Sequence, residues 1–134
     1  DAPRLMTLIA EFCAADQHVF DPQRVGPALQ PLLEDDRYGL VWMIGSEDEG
    51  YAVVTWGYSL ESGGREALLD EIYVRHQGRG LGGQALEAIM TDISQRGMGC
   101  LFLETEAHNE QVRRFYARHG FVVEDSIWMQ RKAD

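Results

Sequence analysis

Apolar residues recur at Leu5, Leu8, Ile9, Phe12 and Cys13, and this spacing predicts a helix over Ala2–Asp16, with Asp1 as a cap and Pro3 in the first turn. A second, short helix is expected over Pro22–Glu34, broken around Pro27 or Pro31 because an interior proline removes a helix hydrogen bond. The β-rich runs "GLVWMIG" and "GYAVVTWGYSLE" flank "SEDEG", which reads as a hairpin turn. After the turn "SGGRE", the run Glu66–Val74 is a third strand. Leu81, Ala85, Ile89 and Ile93 then form a stripe along a helix over Leu81–Gln95. "GCLFLET" reads as a buried strand, and "NEQVRRFYARHG" as a helix with Asn109 as N-cap and Gly120 just past its end. "FVVEDSIWMQ" is expected to supply one or two closing strands. The order is that of a single α/β (α+β) domain over 1–134, a mixed, mostly antiparallel sheet flanked by helices.

Length agrees, since 134 residues suit one domain and one active site. No apolar run approaches the roughly 18 residues of a membrane span, and no signal-peptide pattern is present, so a cytoplasmic location is the expectation. Cys13 and Cys100 lie in apolar contexts and are expected to be two buried thiols rather than a disulfide or metal pair. The net charge of −10 is uneven: residues 1–71 hold 14 acids against 4 Arg, whereas the rest is balanced at 8 against 8. Without a clustered positive excess a nucleic-acid surface is not expected. The acidic half admits a cationic small molecule or serves solubility alone, and homodimerisation is left open.

Chemistry concentrates in "VRHQGRGLGGQAL", Val74 to Leu86. Gly78, Gly80 and Gly83 spell the dinucleotide fingerprint G-x-G-x-x-G, and Glu104 falls near the acidic position expected about 20 residues on. Context opposes that reading: Arg75, His76 and Gln77 separate strand from glycines, and too little chain follows for a second nucleotide half. A phosphate loop of the Lys-Ser/Thr type fails because Gln84 and Ala85 occupy those places. Either way the loop precedes a helix N-terminus, where free N–H groups favour an anion, and Arg79 adds charge. Gly82 and Gly83 are costly in a first helical turn unless a ligand approaches the backbone.

Read from Gln77, the stretch is Q-x-x-G-x-G with Gln77, Gly80 and Gly82, and with the preceding strand it resembles the acyl-CoA-binding motif of the GNAT N-acetyltransferase superfamily. "HNEQVRRFYARHGFVVED" is similar to that family's later motif through Asn109, Tyr116, Gly120 and Phe121. Asn109 and Tyr116, seven residues apart, would share one helix face about 10 Å apart. The family's usual first strand would lie before Asp1.

The resemblance implies direct acetyl transfer from acetyl-CoA, as co-substrate and without a metal, to a primary amine; a polyamine or amino acid is favoured, with an aminoglycoside or protein N-terminus as further options. It assigns coenzyme binding to Ile72, Tyr73, Val74, Gln77, Gly78, Arg79, Gly80, Leu81, Gly82, Gly83, Asn109 and Tyr116, with Tyr116 also the general acid. A backbone N–H near Ile72 or Val74 would meet the thioester oxygen. A protonated amine must lose a proton before attack, so Asp70 and Glu71 are the candidate bases, with Glu104 and Glu106 behind them. The polyamine-acetylating branch carries Glu then Asp at these two places, the reverse of this chain, so the base is not assigned between them. Regular alternation would let only one face the site unless a bulge intervenes. The acceptor pocket would draw on the acidic half, including Tyr38, Trp42, Trp56 and Tyr58. His18, His76, His108 and His119 have no metal-ligand spacing. A dinucleotide-binding protein or an inactive acyl-CoA-binding regulatory domain is the alternative.

Overall fold

The computed structural model describes residues 2–133. Asp1, the expected cap, lies outside the described residues. The chain divides into two compact units, residues 1–104 and 105–134.

The first unit contains α1 (Ala2–Ala15), α2 (Pro22–Glu34), β1 (Gly39–Ile44), β2 (Gly50–Ser59), β3 (Gly64–Val74), α3 (Leu81–Gln95) and β4 (Leu101–Phe102). The strands lie in the order β1-β2-β3-β4. β1–β2 and β2–β3 are antiparallel hairpins, while β4 joins β3 in parallel through Ala67 opposite Leu101 and Leu68 opposite Phe102. The expected mixed, mostly antiparallel sheet is present.

One face of the sheet is covered by α1 and α2: Leu5, Leu8, Ile9 and Leu29 form a buried cluster with Tyr51 and Val53, against which Val41, Met43 and Tyr73 also pack. Each fully buried aliphatic side chain contributes roughly 1.5–3 kcal/mol. On the other face lie Ala52, Val54, Ala67 and Leu69, with Leu86, Ile89 and Ile93 of α3, all buried. The α3 stripe is thus centred on Leu86, Ile89 and Ile93, with Leu81 and Ala85 only half-buried at its rim.

Several local expectations are corrected. α2 runs unbroken through Pro27 and Pro31. Burial of Leu29 and packing of Val25 and Leu32 on the core hold it, and exposed Pro27 leaves the carbonyl it strands within reach of water. Its start is secured by Asp21, which accepts from the Gln23 N–H at 3.1 Å. Asp21→Ala should therefore cost about 1 kcal/mol in urea unfolding without changing the slope. β3 begins two residues earlier than expected, at Gly64, and β4 has only two residues where "GCLFLET" suggested a full strand. Cys100 precedes β4 and is exposed, so it is not the buried thiol expected; Cys13 is half-buried, and both are free.

The second unit holds α4 (Glu110–Arg118), which begins and ends as the sequence predicts. Asn109 caps it by accepting from the Val112 N–H at 3.2 Å, and Gly120 follows the last turn at φ +89°, a conformation suited to glycine. The expected closing strands do not form among residues 121–133. The β-prone residues Val122, Val123, Ile127, Trp128 and Met129 are exposed and pair with no strand, and propensity without a ladder partner does not make a strand.

Candidate active site

The β2–β3 ladder is interrupted where the candidate bases lie. Val53 faces Glu71 and Val54 faces Leu69, so Asp70 is an extra residue in β3, a β-bulge. The bulge breaks the alternation that would put Asp70 and Glu71 on opposite faces: Leu69 is buried on the α3 side, while Glu71 reaches Tyr51 on the α1–α2 side. Glu71 is half-buried and its Oε1 accepts a 2.7 Å hydrogen bond from the Tyr51 hydroxyl. Burial raises the Glu71 carboxyl above the usual carboxylate range, the Tyr51 hydrogen bond opposes this, and the negative charge of Asp70 adds to the rise. Asp70 itself is exposed.

Among the described residues, β3 carries no strand on its second edge beyond Leu68, because β4 pairs with Ala67 and Leu68 alone. Backbone groups of Asp70–Val74 that point away from β2 consequently have no ladder partner in the sheet. Ile72, Tyr73 and Val74 run along this open edge into the glycine loop. Residues 75–80 are exposed, with Gly78 at φ +87° and Gly80 at φ +75°. A Cβ at either glycine would meet nothing within 4 Å, so the left-handed backbone, not crowding, requires glycine there. Gly80 is the N-cap of α3 and provides no side-chain cap, which leaves the N–H groups of Leu81, Gly82 and Gly83 unpaired by the helix. Gly82 is half-buried and Gly83 is buried on the inward face of α3.

The loop arginines are held by carboxylates from other elements. Arg79 contacts Glu49 at 2.7 Å, and Arg75 grips Glu11 of α1 with two bonds of 2.9 and 2.6 Å. Tyr73 also donates to Glu11 at 3.3 Å. Arg75 is the main reason the Glu11 carboxyl is held below its usual range. Arg4 forms a further ion pair with Asp48 beside the β1–β2 turn.

In the second unit, Tyr116 is half-buried, its ring edge-on to Phe115 and Phe121 at 5.2 and 5.3 Å. Its hydroxyl makes no hydrogen bond to the described residues, and burial raises its pKa. Asn109 is engaged as the cap of α4. His119 lies at the C-cap with its ring 5.0 Å from Phe115, and His108 is exposed. Glu104 and Glu106 are exposed.

Among the candidate acceptor residues, Tyr38 and Tyr58 are exposed. Trp56 donates to the Asp36 carbonyl at 2.8 Å, and the guanidinium groups of Arg65 and Arg96 lie over its ring at 6.0 and 5.6 Å, so it is a structural anchor. The Trp42 indole N–H is buried with no hydrogen-bond partner among the described residues. An open groove of about 640 Å³ runs beside Met6, Thr7, Ala10, Glu11, Ala14, Phe20 and Pro22, and none of the candidate catalytic residues lines it. Among the described residues no cluster of His, Cys, Asp or Glu is arranged for a metal ion, and no helix is long and apolar enough to cross a membrane.

Sequence reading missed Tyr51, Glu49 and Glu11. No local signal marks them, because each meets its partner through strand pairing or helix packing over 20 or more residues of separation.

A helix-flanked mixed sheet whose third strand feeds a glycine loop at a helix N-terminus is a setting for anion binding, and comparison with known proteins identifies the family. The model of the acetyltransferase (GNAT) family matches residues 5–121. The chain belongs to this family and is an N-acetyltransferase by class. Its fold is similar to that of the integron cassette protein HFX_CASS3 from the mobile metagenome of Cole Harbour Salt Marsh, with 29% identity, a TM-score of 0.86, and coverage of 98% of this chain and 84% of that one. A protein of Arthrobacter sp. FB24 put forward as an acetyltransferase gives 25% identity, a TM-score of 0.86 and coverage of 99% and 90%. At 18% identity, an aminoglycoside acetyltransferase from an uncultured soil metagenomic sample shares the fold alone, with a TM-score of 0.77 and coverage of 99% and 90%. No match was found among curated proteins.

Proposed function

We propose that this enzyme transfers acetyl from acetyl-CoA directly to the primary amine of a small molecule, a polyamine or an amino acid in preference, with Glu71 as base and Tyr116 as acid. The observation that carries the reading is Glu71 itself: a half-buried carboxylate with a raised pKa, at a bulge beside an open strand edge. An alkylamine near pKa 10 is mostly protonated at neutral pH, and a carboxylate with a raised pKa accepts its proton more readily than an ordinary one. Exposed Asp70 assists by its charge.

The residues present fit coenzyme A. Three helix N–H groups at Leu81, Gly82 and Gly83 and the side-chain-free loop at Gly78 and Gly80 suit a pyrophosphate, with Gln77 and Arg79 at its margin. The unpaired edge at Ile72, Tyr73 and Val74 offers backbone donors and acceptors to an amide-bearing chain, and an N–H there serves the developing oxyanion. The family resemblance assigns Asn109 and Tyr116 of the second unit to the coenzyme as well. Bound coenzyme supplies the activated thioester. Glu71 removes the amine proton, and Tyr116 donates to the departing sulfur. The acceptor preference rests on the acidic excess of residues 1–71.

Thermal stability is the first test. Acetyl-CoA at about 100 times its Kd should stabilise the protein by about 2.7 kcal/mol, whereas NAD should leave the melting temperature unchanged. Stabilisation by NAD alone would restore the dinucleotide reading of the glycines. An amine panel with thiol detection then tests the acceptor: no coenzyme A release with any polyamine or amino acid removes the acceptor assignment and leaves the family standing.

A further inference from the structure

We propose that Tyr51 is a positioning residue for the reaction: its hydroxyl, at the centre of the α1–α2 face, holds Glu71 Oε1 and leaves Oε2 as the oxygen that takes the amine proton. This rests on Glu71 being the base.

Tyr51 is 0% exposed, an unusual place for a phenol unless its hydroxyl has a fixed partner. That partner is Glu71 at 2.7 Å. The ring cannot swing away, because Phe12 and Tyr73 hold it at centroid distances of 6.4 and 6.3 Å and Phe12 and Tyr73 meet each other at 5.8 Å. The strand pairing reinforces this: Tyr51 faces Tyr73 and Val53 faces Glu71, so the hydroxyl reaches the carboxylate diagonally across one ladder. No hydrogen bond to Oε2 exists among the described residues.

The titratable groups facing Glu71 come from each surrounding element. Asp70 lies beside it on β3, Tyr51 on β2 and Cys13 on α1, while His18 acts from the segment after α1. α2 contributes Val25, Leu29 and Leu32 to the surrounding apolar cluster, and β1 contributes Val41 and Met43. Asp70 and burial disfavour the charged carboxylate, and Tyr51 and His18 favour it. Tyr51 thus opposes the rise that burial and Asp70 impose on the Glu71 carboxyl. A phenol is a suitable donor because burial and the carboxylate hold its own proton firmly: its pKa lies far above the ordinary tyrosine value.

The test is the pH profile of kcat/KM for Tyr51→Phe, which removes only the hydroxyl. Glu71 acts ionised, so activity is lost as pH falls through its pKa. Without Tyr51 as donor that pKa rises, and the acidic limb should move up by about one pH unit, a roughly tenfold loss below the limb shrinking to a few-fold loss above it. A ¹³C-carboxylate titration of Glu71 should shift in parallel in the absence of substrate, and the KM for acetyl-CoA should hold within about twofold. A limb and a carboxylate titration that both stay in place would overturn the role of Tyr51 if Glu71→Gln still abolishes turnover. If Glu71→Gln retains full turnover, the base assignment fails and the inference with it. Should Tyr51→Phe not fold, 3-fluorotyrosine at position 51, a stronger donor, must move the limb to lower pH; no movement overturns the inference.

Discussion

Glu71→Gln is expected to lower kcat/KM for amine acetylation by about 10²- to 10³-fold, the range lost when a positioned general base is removed. The amide oxygen can still accept from the Tyr51 hydroxyl, so the packing of Tyr51 against Phe12 and Tyr73 persists and the loss is chemical. Stability provides a check. Burial raises the Glu71 pKa, so ionised Glu71 works against folding above that pKa, and a neutral isostere should leave the melting temperature there unchanged or slightly higher. The acidic limb of the wild-type pH profile should lie above the ordinary carboxylate range and should vanish in the variant. Asp70→Asn separates the two carboxylates. It removes a charge that raises Glu71, so the limb should shift to lower pH with most of the turnover kept. If instead Asp70→Asn abolishes turnover and Glu71→Gln spares it, the base is Asp70.

The features that make this prediction specific were the least legible ones in the sequence. The limits of α3 follow from its apolar stripe and the loop glycines, and those of α4 from Asn109 and Gly120; these are signals carried within a few residues. The carboxylate pair at Asp70 and Glu71 was equally visible. Whether both or one could face the site depended on register, which is set by a partner strand, and the bulge at Asp70 has no composition signal of its own. Tyr51 reads in sequence as a β-strand aromatic, and only the β2–β3 pairing brings it to Glu71, twenty residues away. Local rules also yielded to packing elsewhere. Pro27 and Pro31 do not break α2, because Leu29 is buried in the core with Val25 and Leu32 against it. The same logic in reverse leaves Val122, Val123 and Ile127 exposed: their strand propensity has no ladder to join.

Tyr116→Phe should reduce kcat by about 10²-fold with little change in the KM for acetyl-CoA, as expected when an interaction made mainly in the transition state is lost. The Tyr116 ring contacts with Phe115 and Phe121 survive the substitution, and its hydroxyl has no hydrogen bond to the described residues. Removing it therefore leaves no partner unsatisfied, and the melting temperature should be unchanged. The direction of the pKa shift bears on the mechanism. An acid must be protonated to act, so activity is lost as pH rises through its pKa; burial raises that of Tyr116, which keeps the proton available throughout the neutral range and places any basic limb above the ordinary tyrosine value. A departing thiolate is a weaker base than the attacking alkylamine, so its demand for a proton is modest and a donor of high pKa can serve by hydrogen bonding as the carbon–sulfur bond lengthens. An acyl donor with a more acidic thiol leaving group should accordingly be less sensitive to Tyr116→Phe than acetyl-CoA is. Unchanged kcat with acetyl-CoA would remove Tyr116 as the acid, and an equal loss with both donors would assign it to binding the coenzyme instead.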